Sequence, residues 1–296
     1  ALAARKLRLV LARVSRLPFG NALAGSMLGS VTQSTSASAF ICIGLLNARA
    51  VSFTAALSIS AWASVGTSIL VFLASVDLRS LALLALSVVG LLYLAAMHRG
   101  EAGRRLTDLL LAIGVTLFGL TMLKATGHAL AESRWVMEFF TFASEAWIYS
   151  FIIAFIVTLL MQSSSTVSAL AVMLSATGVV PLEAAMVMVC GANAGSGVSV
   201  ALISSHLTGP PRQLALWQAV VKLIGALAVL PFAVIMPLSV PFAALLPVPV
   251  LLSVVYLVIN LIGAILSGLL RSPLLRLLEW MAPADRDLQR FEPEFI

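Results

Sequence analysis

Two short runs of hydroxyl and amide side chains stand where the chain is otherwise apolar and uncharged. Gln33-Ser34-Thr35-Ser36 interrupts residues 20–47, and Gln162-Ser163-Ser164-Ser165-Thr166 interrupts residues 148–177. A polar group in an apolar interior is costly unless it finds a hydrogen-bond partner. A single Ser meets that need by bonding back to its own helix or by packing between helices. Two clusters led by Gln, each in the middle of its segment, point to a site. If each cluster forms the tip of a helical hairpin, the tip begins a new helix whose first N–H groups lack intrahelical acceptors. The helix dipole there favours negative charge, and successive Ser hydroxyls add donors. Two such tips aimed at one point suit a small anion with several oxygens.

Neither cluster contains Arg or Lys, and neither do the Gly-containing stretches 64–68 and 191–197. Helix ends supply only partial positive charge, so an anion of roughly −1.5 to −2, taking a phosphomonoester as the guide, calls for mobile cations. The side-chain oxygens of Gln33, Gln162 and Asn193, with carbonyls freed by an expected helix break at 191–197, are neutral oxygen ligands suited to sodium.

The elements that position these groups belong in a membrane. Of the 296 residues, 61% are hydrophobic and 10% charged, and the mean hydropathy is +1.08. Soluble domains carry about 25% charged residues, so a soluble globular protein is excluded. No Asp, Glu, Lys or Arg occurs between Arg16 and Arg49, between Glu145 and Glu183, or between Lys222 and Arg271. Each gap exceeds the roughly 20 residues that cross a bilayer. The net charge of +6 lies at segment ends rather than along a stripe, which fits membrane anchoring and not nucleic-acid binding. Cys42 and Cys190 both lie in apolar runs and read as packing residues. Residues 1–19 read as a basic amphipathic helix, 81–97 and 106–126 as spans, 98–105 as a basic loop, and 128–147 as amphipathic. Further spans fall at 213–238 and 248–270, and the tail from Leu274 turns amphipathic and then polar.

The chain also repeats. A shift of 129 residues lays Gln33-Ser34-Thr35-Ser36 on Gln162-Ser163-Ser164-Ser165, Ala55-Ala56 on Ala184-Ala185, and Ala63, Gly66 and Thr67 on Ala192, Gly195 and Ser196. Arg5, Lys6, Arg8, Arg13 and Arg16 precede the first cluster, whereas Glu132, Glu138 and Glu145 precede the second. Positive flanks prefer the cytoplasm, so equivalent elements fall on opposite sides and the repeats are inverted. Treating both clusters as re-entrant hairpins puts 1–20, 98–105 and the tail with Arg271 and Arg276 in the cytoplasm. The expected fold is an all-α polytopic membrane protein of two inverted repeats, each with a re-entrant hairpin and a broken transmembrane helix. The first repeat is 1–105, the second with a final span is 106–271, and 272–296 is a cytoplasmic tail. Residues 106–126 have no partner before Ala1 in this register, so a further span is expected upstream.

Gln162-Ser163-Ser164-Ser165-Thr166 followed by Gly191-Ala192-Asn193-Ala194-Gly195-Ser196 resembles the paired signatures of the type II sodium-phosphate cotransporters, and the resemblance runs from Leu7 to about Leu270. It implies a carrier of inorganic phosphate in the cell (inner) membrane, driven by sodium and without another cofactor. Carried over by position, Ser34, Thr35, Ser36, Ser163, Ser164 and Ser165 bind phosphate, and Gln33, Gln162, Thr67, Asn193 and Ser196 help hold sodium. The first repeat departs from the family pattern: Ser64 stands where Asn is usual, and Gln-Ser-Thr-Ser-Ala replaces a fuller hydroxyl run. Those departures put one cation site, and phosphate as against another oxyanion, in question.

Several residues carry weaker readings. Lys222 lies well inside a span, where a direct substrate role competes with snorkelling of its long stem. Tyr256 and Asn260 read chiefly as packing, Glu183 as a favourable charge at a helix start, and His98, His128 and His206 as interfacial. A passive anion channel shares the hairpins but needs no cation ligands. An intramembrane serine hydrolase using Ser196 or Ser199 with His206 suffers from a separation of roughly 15 Å if those residues are helical, and leaves the duplication without a purpose. A homo-oligomer is compatible with the sequence.

Overall fold

The computed structural model describes residues 19–75, 79–95, 100–131, 133–235 and 246–283, and the regular elements among them are all helical. In chain order they are α1 (Gly20–Thr32), α2 (Thr35–Asn47), α3 (Phe53–Gly66), α4 (Ser68–Ser75), α5 (Arg79–Leu94), α6 (Glu101–Ala131) and α7 (Arg134–Glu145). Then follow α8 (Trp147–Met161), α9 (Ser164–Ala176), α10 (Leu182–Ile203), α11 (Gly209–Ile235), α12 (Val248–Leu269) and α13 (Arg271–Met281). Among the described residues, four stretches are long and apolar enough to cross a membrane: Phe53–Ser75, Leu182–Ile203, Gly209–Ile235 and Val248–Leu269. This is a membrane protein. The basic amphipathic helix expected at 1–19 and the polar end of the tail lie outside the described residues, except for Phe19 and residues up to 283.

The 129-residue register reappears in the helix ends. Thr32, Thr35, Asn47 and Phe53 bound elements of the first half, and Met161, Ser164, Ala176 and Leu182 bound elements of the second at the same offset. Each half packs its first helix against its third, α1 on α3 and α8 on α10. Glycine permits that approach. A Cβ on Gly66 would collide with the Ser26 carbonyl oxygen, and one on Gly195 with that of Phe155; both glycines and both carbonyls are register mates. The outer faces match as well. Leu23, Met27 and Val31 on α1, and Ile152, Ile156 and Leu160 on α8, form exposed apolar stripes at one-turn spacing, as suits a lipid-facing surface.

Between the halves, α11 and α12 fill the centre. Val221 of α11 joins the apolar cluster that contains Ala39, Leu57 and Trp217, while α12 contributes Leu252, Tyr256 and Ile259 to the cluster around α10. The Trp217 indole N–H donates to the Leu57 carbonyl at 3.0 Å, tying α11 to α3. Cys42 and Cys190 are free and wholly buried, as packing residues should be.

Two expected features differ. The loop expected at 98–105 is helical from Glu101 onward, where Arg105 pairs with Glu101 one turn earlier at 2.6 Å; residues 96–99 lie outside the described set. The break expected at 191–197 is absent, and α10 runs unbroken from Leu182 to Ile203. The glycines there serve close packing instead: Gly191 and Gly195 press on the α8 backbone and Gly197 on that of α11. Its carbonyls are therefore helical acceptors rather than free cation ligands. The first half does break, but only at Thr67, whose backbone stays right-handed helical and whose hydroxyl donates to the Ser64 carbonyl at 2.8 Å.

Candidate functional site

Both Gln-Ser joints are built alike. Gln33 closes α1 in the left-handed region with φ 50°, and Gln162 closes α8 with φ 56°. Left-handed backbone is unusual and strained for a residue other than Gly, Asn or Asp. Each Gln N–H still caps its helix, bonding to Gly29 O at 2.8 Å and Thr158 O at 2.7 Å. The chain then extends at Ser34 (φ −142°) and Ser163 (φ −141°), whose hydroxyls accept from Ala37 N and Thr166 N at 3.2 and 3.3 Å. These are Ser N-caps. With them in place, the first N–H groups of α2 and α9 remain without intrahelical acceptors.

The joints meet at one cleft. Gln33, Ser34, Thr35, Thr67, Gln162, Ser163, Ser164 and Ser165 line the narrow space between them, which in this arrangement is too tight for a water molecule. Ser165 Oγ lies 3.5 Å from the Gln33 carbonyl oxygen, so the two tips all but touch. Each tip also reaches the opposite half. Thr35 and Ser196 hydroxyls share a hydrogen bond of 3.3 Å. Their register mates, Ser164 and Thr67, are joined through a third group, the Tyr256 hydroxyl, at 3.1 Å and 3.5 Å.

Behind Ser164 stands a buried lysine. Lys222 is 2% exposed, and its Nζ donates to Asn260 Oδ1 at 2.7 Å, Asn193 Oδ1 at 2.9 Å and Ser164 Oγ at 3.4 Å. It also lies 5.5 Å from the Tyr256 ring centroid. Among the described residues the ion pairs are Arg105–Glu101 and Arg134–Glu138, both exposed, so Lys222 faces no carboxylate. The expectation of a site without fixed positive charge is thus corrected: the sequence clusters hold none, but α11 brings one in. The same helix serves the other half one turn earlier. Gln218 Nε2 donates to Ser64 Oγ at 2.7 Å and Gln218 Oε1 accepts from Ser60 at 2.6 Å. Ser64 and Asn193 are register mates, so α11 gives a neutral donor to one and a cationic donor to the other.

Two helix starts and converging hydroxyls are the donors that suit a small oxyanion, and the two tips would have to part to admit one. The family model described as Na+/Pi-cotransporter matches residues 1–125 and 128–270. The chain belongs to this cotransporter family. It is 28% identical over 228 residues to a Salmonella typhimurium protein and 27% identical over 228 residues to one from Escherichia coli K12, in each case over 77% of this chain. Both relatives bear the name "Putative inorganic phosphate export protein YjbB". The chain spans 41% of their length. No solved structure matches it.

Of the residues that family resemblance singled out, the cleft gathers Gln33, Ser34, Thr35, Thr67, Gln162, Ser163, Ser164 and Ser165. Ser196 sits beside it through Thr35, and Asn193 lies deeper, on Lys222. Ser36 is not among the lining residues, and its hydroxyl is buried without a partner. The hydroxyls of Ser196 and Ser199 bond to Thr35 and to the Gly195 carbonyl, with no His206 contact among the described hydrogen bonds. In this cotransporter-family chain the groups that sequence reading undervalued are Lys222, Gln218, Tyr256 and Asn260. Gln218–Lys222 and Tyr256–Asn260 each recur at i, i+4 on a largely apolar helix, and that spacing was the available signal.

Proposed function

We propose that the chain carries inorganic phosphate across the cell membrane as a sodium-coupled secondary transporter. One observation carries this reading: two register-matched joints, each a left-handed Gln followed by a Ser N-cap, open on one cleft. Phosphate sits between them on Ser34, Thr35, Ser163, Ser164 and Ser165 and on the free N–H groups of α2 and α9. Ser36 takes a supporting place beside them. The two halves are inverted repeats, and α1–α2 and α8–α9 are re-entrant hairpins. Their helices have 13 to 15 residues, about 20 Å against a hydrocarbon core of about 30 Å. The basic segment around Arg104 and the end with Arg276 face the cytoplasm, and Glu138 faces the other side. Cysteines placed at Arg104 and Glu138 should then label from opposite faces; labelling from one face overturns the inversion.

Sodium follows from charge and from oxygens. Phosphate at about −1.5 to −2 beside one ammonium still lacks roughly half to one positive charge. Gln33 Oε1 is buried without a partner and lies with Thr67 at the cleft, so these two are the ligands assigned to sodium; Gln162 lines the opposite wall, while the Asn193 oxygen is engaged by Lys222 and the Ser196 hydroxyl by Thr35. In proteoliposomes, labelled phosphate should accumulate with an imposed sodium gradient and far less with potassium or choline. Lys222 also gives specific support to a second reading, a passive anion pathway, because a fixed cation lowers the need for a mobile one. Phosphate flux indifferent to sodium would establish that reading. Movement of another oxyanion alone would keep the architecture and change the substrate.

A further inference from the structure

We propose that the Lys222 ammonium is a tethered cation filling the second half's cation seat, so that a mobile sodium ion is held only on the first half. This rests on the sodium-coupled reading for its consequence, but not for its geometry. The seat consists of Asn260 Oδ1, Asn193 Oδ1 and Ser164 Oγ around Nζ. All three are neutral oxygens, the ligand class that suits an alkali cation near a membrane midplane, and no carboxylate among the described residues competes for the charge. The Asn amides are fixed from behind, since Asn193 Nδ2 donates to Val189 O at 2.9 Å and Asn260 Nδ2 to Tyr256 O at 2.8 Å. Both therefore aim their oxygens at Nζ. Lys222 itself does not line the cleft; Ser164 stands between the ammonium and the space for the anion. It acts as a tethered ammonium behind a substrate ligand.

The register strengthens the assignment. Asn193 and Ser64 occupy equivalent positions, yet Ser64 is bonded by the neutral Gln218 amide. On that side the buried, unpartnered Gln33 Oε1 remains free for a cation. One helix, α11, thus seals the first position with an amide and loads the second with a charge. A buried charge inside a membrane segment is costly enough that it is expected to have a purpose. The anion it faces supplies one.

The test reads sodium binding, not transport. Purified protein is titrated with sodium chloride at constant ionic strength against choline chloride, following the unfolding temperature and binding of labelled sodium. Lys222→Met, which keeps the stem's bulk without the charge, should bind one more sodium per chain than the wild type. Lys222→Met/Asn193→Ala should lose that added ion. In the wild-type background, Asn193→Ala should leave the sodium midpoint within about threefold. The proposal is overturned if Lys222→Met binds no more sodium than wild type. It is also overturned if Asn193→Ala alone weakens wild-type sodium binding tenfold or more, because sodium then sits where Lys222 was placed. Should Lys222→Met fail to fold, the Asn193→Ala comparison decides between these outcomes. A chain that moves no phosphate fails the functional reading alone, since the sodium titration still reports on the seat.

Discussion

The two halves share the backbone of their Gln-Ser joints and differ in what other helices bring to it. The joints agree in φ to within a few degrees, with 50° against 56° at Gln and −142° against −141° at Ser. Around them the symmetry ends. On one side Thr35 touches Ser196 directly, and on the other Tyr256 stands between Ser164 and Thr67. Gln218 meets Ser64, while Lys222 meets Asn193. A duplicated frame can thus hold two dissimilar shells, because α11 and α12 contribute single, unpaired side chains. An oxyanion held between the tips as proposed would have the Lys222 amine on its α9 side and only the Gln218 amide on its α2 side.

The shared frame should break equally on both sides, with the largest effect. Gly66→Ala and Gly195→Ala each drive a methyl into a backbone carbonyl that has no rotamer to escape into. Overpacking costs about 1–3 kcal/mol even where side chains can yield, so each variant should lose about 3 kcal/mol and unfold well below wild type in a thermal melt. A large loss at Gly195 with none at Gly66 would show that the halves do not share this packing.

An intermediate effect should fall on one half only. Tyr256→Phe removes the hydroxyl bridging Ser164 and Thr67 but leaves Thr35 and Ser196 untouched. Losing a buried hydrogen-bond partner costs about 1–3 kcal/mol, and Ser164 keeps Lys222 as a second contact. Phosphate affinity, measured by equilibrium binding, should drop about tenfold, about 1.4 kcal/mol. An unchanged affinity would make Tyr256 a packing residue, as its sequence context suggested.

The contrast between frame and shell also marks what the sequence could reveal. Gln33 and Gln162 announced both joints, because an amide-led hydroxyl run is costly to keep within a charge-free apolar helix. The ends of α2 and α9 lie where the apolar runs stop, at Asn47 and next to Thr177. Gly191 and Gly195 misled, since glycine in a helical segment signals either a break or a close neighbour, and only the position of α8 decides between them. Lys222 was visible as a buried charge, but its stem allowed it to reach an interface. Its partners Asn193 and Asn260 lie 29 and 38 residues away, and no local pattern links them. Ser64 in place of Asn likewise made sense only once Gln218 was found against it.

The smallest expected effect separates two hydroxyls that the register makes equivalent. Ser165 lines the cleft and reaches toward the Gln33 carbonyl. Its mate Ser36 does neither, and its buried hydroxyl has no partner. Removing a donor that already lacks an acceptor forfeits no hydrogen bond and relieves a desolvation cost. Ser36→Ala should therefore leave the unfolding temperature unchanged or slightly raised, and shift phosphate affinity less than twofold. Ser165→Ala should weaken phosphate binding several-fold, by about 1 kcal/mol, with little change in stability. Equal losses of phosphate binding at both positions would mean that Ser36 turns into the cleft when the anion arrives. The α2 tip would then be the moving partner, and the closed geometry of the α9 tip its fixed counterpart.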